Sequence, residues 1–190
     1  MAATKRQSDE ATKGEPGGRP FRIASFDGGG VRGILSAIWL AALERQTGKP
    51  AREQFDLVAG TSTGSIIACA VACGIPAREI VDMYVTRARE IFPGTAARLW
   101  SRIGRTFTQG PSAPKYSKDG LTSVLVETLG TTKLGDVETR LIIPTYDVTR
   151  REPLILKSRK PEHAHLTLAK VACASCSAQT YFAAEMVRLS

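Results

Sequence analysis

No stretch of this chain approaches the roughly 20 uninterrupted apolar residues that a helix needs to cross a bilayer, and residues 1–18 contain no hydrophobic segment of the secretory type. Membrane contact is therefore read as peripheral. Aromatic residues are sparse, at 6% of the 190 residues, and they are not interleaved with the basic ones. Without that interleaving, and without helix-turn-helix or zinc-finger spacing, the net charge of +8 does not point to nucleic acid. Cysteine is scarce as well. Cys69 and Cys73 stand one helical turn apart, and Cys173 and Cys176 repeat the theme, with no second pair at ligand spacing to complete a metal site. The preferred reading is small-residue helix packing in a reducing, cytoplasmic compartment, with a zinc or redox site at Cys173 and Cys176 as the weaker alternative. Tandem repeats are absent.

What remains is compatible with one α/β domain, because 190 residues of 43% apolar content can bury a sizeable core. Residues 1–18 mix Lys, Gln, Ser, Asp, Glu, Gly and Pro with little apolar content and read as a disordered leader, so the domain is expected over 19–190. The positive charge is unevenly placed: Arg87, Arg89, Arg98, Arg102, Arg105, Lys115 and Lys118 face only Glu90 between positions 87 and 118. Inside that segment Ala96, Leu99, Trp100, Ile103 and Phe107 recur at helical spacing. Residues 95–107 thus form a candidate basic amphipathic helix, suited to an anionic membrane surface at the inner leaflet or to a lid. The alternative is a core-packed helix with a solvated arginine face.

Two short motifs carry the chemistry. Asp27-Gly28-Gly29-Gly30-Val31-Arg32-Gly33 follows an apolar strand pattern at 21–26 and precedes a helical pattern at 33–46 that ends near Gly48. Consecutive glycines let main-chain N–H groups approach a negative oxygen without obstruction from Cβ. The same residues match the dinucleotide-binding fingerprint Gly28-x-Gly30-x-x-Gly33, which also asks for an acidic residue at the end of a second strand about twenty positions on. Glu44 lies within a helix instead, where it and Arg45 read as a solvated face.

The second motif is Gly60-Thr61-Ser62-Thr63-Gly64, between a strand pattern at 55–59 and a buried helical pattern at 64–73. Gly-x-Ser-x-Gly in that setting is a nucleophile elbow: the serine takes a strained conformation, and small flanking residues at Gly60, Thr61, Thr63 and Gly64 leave room for the turn. Ser62 is the candidate nucleophile, and the following helix directs its N-terminal dipole at the reacting carbonyl. A serine elbow one βαβ unit after the glycine loop favours an oxyanion hole over a dinucleotide site.

These residues resemble the patatin-like phospholipases, bacterial branch. The likeness is dense from Arg19-Pro20-Phe21-Arg22-Ile23 through the glycine loop to Gly64. It continues more loosely at Glu90-Ile91-Phe92-Pro93, Tyr116 to Leu121, Ile142 to Asp147 and Pro153 to Ser158. The three-glycine loop with a Thr-Ser-Thr elbow is most similar to the cyclic-nucleotide-activated antiphage group. The resemblance implies a three-layer α/β/α fold with a mostly parallel sheet, and hydrolysis of phospholipid or another lipid ester by a Ser-Asp dyad without histidine, metal or cofactor. It implies Ser62 as nucleophile and an oxyanion-hole loop at Gly28, Gly29, Gly30 and Arg32, with Arg32 bracing the loop or meeting phosphate.

One departure stands out. The dyad aspartate of the family sits in an Asp-Gly motif after a segment that Ala174-Ser175-Cys176-Ser177-Ala178-Gln179-Thr180-Tyr181-Phe182 resembles, with Gln179 at a usual proline position. No Asp-Gly dipeptide follows before Ser190. Asp119-Gly120 is the only one after the elbow and reads as a turn or helix cap. The expectation is a sheet incomplete at its C-terminal side, an exposed edge, poor solubility and feeble hydrolysis, or else a catalytically silent module that binds lipid or a partner. A second rival is a Ser-His-Asp esterase in the chain order Ser62, Asp147, then His163 or His165. Both histidines, however, read as exposed or capping residues in a polar turn. Further elements are expected as strands at 139–147 and 153–157 and helices at 77–91, 117–129 and 166–178.

Overall fold

The computed structural model describes residues 19–91, 119–177 and 185–187. The expected leader at 1–18 and the basic segment at 95–107 lie outside these residues. Short, largely apolar runs form four strands: β1 (Ile23–Phe26), β2 (Leu57–Gly60), β3 (Arg140–Asp147) and β4 (Glu152–Lys157). They lie side by side in the order β1-β2-β3-β4. β1 pairs with β2 in parallel, Ile23 opposite Leu57 and Phe26 opposite Gly60, and β2 pairs with β3 in parallel, Ala59 opposite Ile142. β4 returns antiparallel through a tight hairpin, with Asp147 opposite Glu152. A mostly parallel sheet in an α/β fold, as expected from the sequence, is the result.

Parallel neighbours require helical crossovers. The first is α1 (Gly33–Thr47), which Gly48 closes in the left-handed conformation at φ 66°. A short helix that the sequence reading missed, α2 (Ala51–Gln54), leads into β2. The second crossover runs through α3 (Thr63–Ala72), α4 (Ala77–Ile91) and α5 (Asp119–Leu129). After β4 comes a single 3-10 turn at Pro161–His163 and then α6 (Leu168–Cys176). Asp119 is the first described residue of α5.

Every residue of α3 is buried, including Ile66, Ile67, Cys69 and Val71. It rests on β1, β2 and β3 and is surrounded by α1, α4, α5 and α6, so it forms the centre of the core. Helices hydrophobic all round belong in such positions. The sheet face carrying Ala24, Phe26, Val58, Leu141, Ile143 and Leu156 supplies the other side. Cys69, Cys173 and Cys176 are buried, and burial pushes the Cys69 thiol pKa well up. Among the described residues no cluster of His, Cys, Asp or Glu could hold a metal ion. No helix of the described residues is long and apolar enough to cross a membrane.

Two polar side chains differ from their sequence reading. Glu44 does not belong to a solvated face: one carboxylate oxygen accepts from Ala51 N at 2.7 Å, the other from Ala77 N at 2.8 Å. It thereby satisfies amides at the starts of both α2 and α4, where four N–H groups per helix lack intrahelical partners. His163 is neither exposed nor a cap. It is buried, and its Nδ1 accepts from Lys157 N at 3.1 Å. His165 is exposed, as read.

Burial pushes the pKa of His163 below the ordinary value of 6.5, and the nearby Lys160 charge acts the same way. A folded-state pKa below that of the unfolded chain means that the unfolded state takes up the proton first as pH falls. The stabilisation by neutral His163 is therefore complete above the unfolded value and is lost as pH drops through it toward the folded value. The denaturant midpoint should fall more between about pH 7.5 and about pH 5.5 in the native chain than in His163→Asn. Equal drops in the two proteins would contradict this account.

Candidate active site

The turn from β2 into α3 is very tight. A Cβ on Gly60 would lie 2.1 Å from Gly64 O, and one on Gly64 would lie 2.0 Å from Phe26 O, so neither position tolerates a side chain. Between them Ser62 has φ 55° and ψ −125°, one of only two non-glycine residues with positive φ among those described. Such a conformation costs about 1–3 kcal/mol and persists only where the surroundings enforce it. Ser62 is half-buried.

Several elements enforce the turn. Thr61 N donates to Phe26 O of β1 at 3.1 Å, and Gly64 N donates back to Thr61 O at 2.9 Å. Ser62 N donates to Ser175 Oγ on α6 at 3.0 Å, while Ser175 Oγ donates to Pro144 O on β3 at 2.7 Å. The Ser62 carbonyl accepts from both Ser65 N and Ser65 Oγ. Tyr84 OH of α4 donates to Thr63 O at 3.1 Å, and burial pushes its phenol pKa far up, so it stays a donor.

The glycine loop reaches the same place. A Cβ on Gly28 would lie 3.0 Å from Ser62 Cβ and 3.7 Å from Ser62 Oγ, which puts this loop directly against the serine. Gly29 N donates to Thr63 Oγ1 at 3.2 Å, tying the loop to the elbow. Gly30 has φ 62° and starts the single 3-10 turn Gly30–Arg32. Arg32 Nε donates to Gly29 O at 3.3 Å, holding the loop from its far side. All the residues expected in the loop and elbow, Gly28, Gly29, Gly30, Arg32, Gly60, Thr61, Ser62, Thr63 and Gly64, are therefore brought together. Beside them a cleft of about 460 Å³ is lined by Thr61, Pro144, Tyr146, Val148 and Ser175, among others.

The residues of the Ser-His-Asp rival are not gathered. Asp147 accepts from Thr149 N and Arg150 N at 2.9 and 3.0 Å, so its carboxylate organises the β3–β4 hairpin. His163 is held against Lys157, which stands opposite Ile142 in the sheet. With Nδ1 accepting a backbone N–H, it cannot donate that nitrogen's proton to an aspartate. Ser175 and Pro144 are the site residues that sequence reasoning missed. Ser175 stood in a quoted small-residue run, but nothing local to that run tells which hydroxyl meets the elbow amide.

Gly64→Ala should lower stability by about 3 kcal/mol or more, since neither Phe26 O nor the buried helix can yield. Ser62→Gly should be more stable than Ser62→Ala by about 1 kcal/mol, because only glycine is relaxed at this φ. Chemical denaturation of the three variants measures both. An Ala variant at least as stable as the Gly variant would show that the turn carries no strain.

Residues 24–189 match the family model described as patatin-like phospholipase. Patatin-like protein 2 of Arabidopsis thaliana is 32% identical over 188 residues, covering 90% of this chain and 46% of its own length. Patatin-like protein 1 of the same plant is 38% identical over 152 residues, covering 72% of this chain and 36% of its own length. The cGAMP-activated phospholipase of Escherichia coli strain TW11681 is 32% identical over 174 residues, with coverages of 85% and 47%. The chain thus spans less than half the length of these relatives. Among solved structures, VipD from Legionella pneumophila has a TM-score of 0.52 at 13% identity, covering 86% of this chain and 44% of VipD, which bears on the fold alone. Because the family match runs through both loops and on past α6, the chain belongs to the patatin-like phospholipases.

Proposed function

We propose that this chain carries the acyl-transfer centre of a lipid ester hydrolase of the phospholipase A type, with Ser62 as nucleophile. The observation that carries the reading is the positive φ of Ser62, with Gly28 packed against its side chain. A strained serine at the head of a buried helix, beside a turn made of glycines, suits attack on a carbonyl better than any structural role. In the reaction, Ser62 Oγ adds to the ester carbonyl, the hydroxyl proton leaves to a base, and negative charge collects on the carbonyl oxygen. Preorganised N–H groups are worth several kcal/mol at that point, of the order of 3 kcal/mol for a single donor. Gly29 N is committed to Thr63 Oγ1, so the reading assigns the oxyanion to the amides of Gly28 and Gly30 and to the N-terminal dipole of α3. Arg32 and Gly29 then brace the loop. Collapse of the intermediate breaks the ester bond, releases the alcohol and leaves an acyl-serine for water to hydrolyse.

The reaction also needs a base. Among the described residues, Ser62 Oγ has no hydrogen bond to a carboxylate or imidazole. The aspartate of the dyad has no counterpart after Phe182 in the 190 residues. General-base help is typically worth about 10²–10⁴-fold in rate. The 190-residue polypeptide is therefore expected to react with an activated acyl mimic more readily than it turns over phospholipid.

A fluorophosphonate probe should label the chain at Ser62, and Ser62→Ala should lose the label. Release of fatty acid from phospholipid by the same preparation should run about 10²–10⁴-fold below that of a family member with its dyad intact. Absence of labelling would favour the catalytically silent binding module. Ser62-dependent turnover as fast as that of the intact relative would show that another group serves as base.

A further inference from the structure

From the exposed face of α1 we infer a membrane-docking surface that presents lipid to Ser62, an inference that rests on the lipid hydrolase reading above. α1 is apolar on two sides. Gly33, Ala37 and Leu40 are buried in the core, and the opposite side carries Leu35 and Ile38 at 66% and 49% exposure, with Val31 at 50% and Trp39 at 54%. At 100° per residue, Val31, Leu35, Ile38 and Ala42 fall on one stripe, with Trp39 along its border and Arg45 continuing it. Contiguous exposed apolar side chains of this size mark interaction surfaces.

The charges around the stripe select the partner. No charged residue occurs between Arg32 and Glu44. Glu44, the one acid of α1, has both carboxylate oxygens occupied by the amides of Ala51 and Ala77. The exposed charges next to the stripe are three cations, Arg32 beside Val31 and Arg45 with Lys49 beyond Ala42, against one acid, Asp27, four residues before Val31. An apolar strip with an indole at its border and cations at its ends has the composition of a helix lying in the plane of an anionic phospholipid interface. A second copy of the chain would have to offer matching acids to Arg32 and Arg45, whereas headgroup phosphates supply them directly.

Position ties the surface to the chemistry. Val31 belongs to the turn that continues the Gly28–Gly30 loop, and Gly28 abuts Ser62. A bilayer resting on this stripe therefore lies beside the serine.

The chain has two tryptophans, so Trp100→Phe leaves Trp39 as its single reporter. In that background, Trp39 emission should shift to the blue when vesicles of phosphatidylglycerol and phosphatidylcholine are added. Lipids brominated on the acyl chain should quench it. Leu35→Ser with Ile38→Ser should weaken vesicle partitioning about tenfold or more, as expected for removing two buried aliphatic side chains from an interface. Fluorophosphonate labelling of Ser62 in the absence of lipid should be unchanged in that double variant. Absence of both shift and quenching would overturn the docking surface while leaving the labelling result intact. Emission already blue without lipid, or a Leu35- and Ile38-dependent doubling of mass in solution, would also overturn it, by showing that protein covers the stripe. Loss of labelling in the native chain would instead defeat the hydrolase reading, whatever the vesicles show.

Discussion

The whole arrangement depends on one close passage, where Gly64 crosses the carbonyl of Phe26 with no space for a Cβ between them. That approach lets α3 start immediately behind the ends of β1 and β2 rather than beside them. It puts the helix axis over the sheet, which is why α3 is buried along its entire length and why its sequence is apolar on every side. The same approach leaves only two residues, Thr61 and Ser62, to reverse the chain between β2 and α3. A reversal that short cannot be made with ordinary dihedral angles, so the strain settles on Ser62. Core packing and site geometry are thus consequences of a single contact.

How much of this was legible in the sequence follows from range. Patterns governed by neighbours within a few residues were read correctly: the four strands, the long helices and the Gly48 stop all depend on local dihedral freedom and local periodicity. What escaped was set by distant partners. Ser175 is separated from Ser62 by 113 positions, and its hydroxyl is one of many in the chain. Glu44 looked solvated because its period matched a polar helix face, yet two helix starts elsewhere in the chain supply amides that hold its carboxylate. His163 lies in a polar run, Lys160 to His165, that suggests a surface turn. It is buried because the turn folds back on β4 and presents Lys157 N to it. The short α2 has only four residues, too few for periodicity to register.

The two loops were recognisable separately, but their relation was not a matter of sequence alone. Gly28 stands 34 positions before Ser62, and only the parallel pairing of β1 with β2 in register brings their C-terminal ends to one level. Phe26 opposite Gly60 means that the residues just beyond each strand meet. A shift of this register by one residue would separate Gly28 from Ser62 and turn Ala24 and Phe26 away from α3. The register that buries the core is therefore also the one that brings the loop against the elbow, so the packed interior and this juxtaposition depend on the same pairing.

The elbow is held by hydrogen bonds from β1, α4 and α6, and the loop adds a further one through Gly29 and Thr63. Each such bond contributes a net of about 0.5–1.5 kcal/mol. A strain of about 1–3 kcal/mol at one residue is thus matched by several such bonds together more securely than by one. This explains why the supports come from separate elements rather than from one. If a single helix held the turn, local opening of that helix would release Ser62 into a relaxed conformation and dissolve the site. With three elements contributing, loss of any one of them leaves the others still holding the turn.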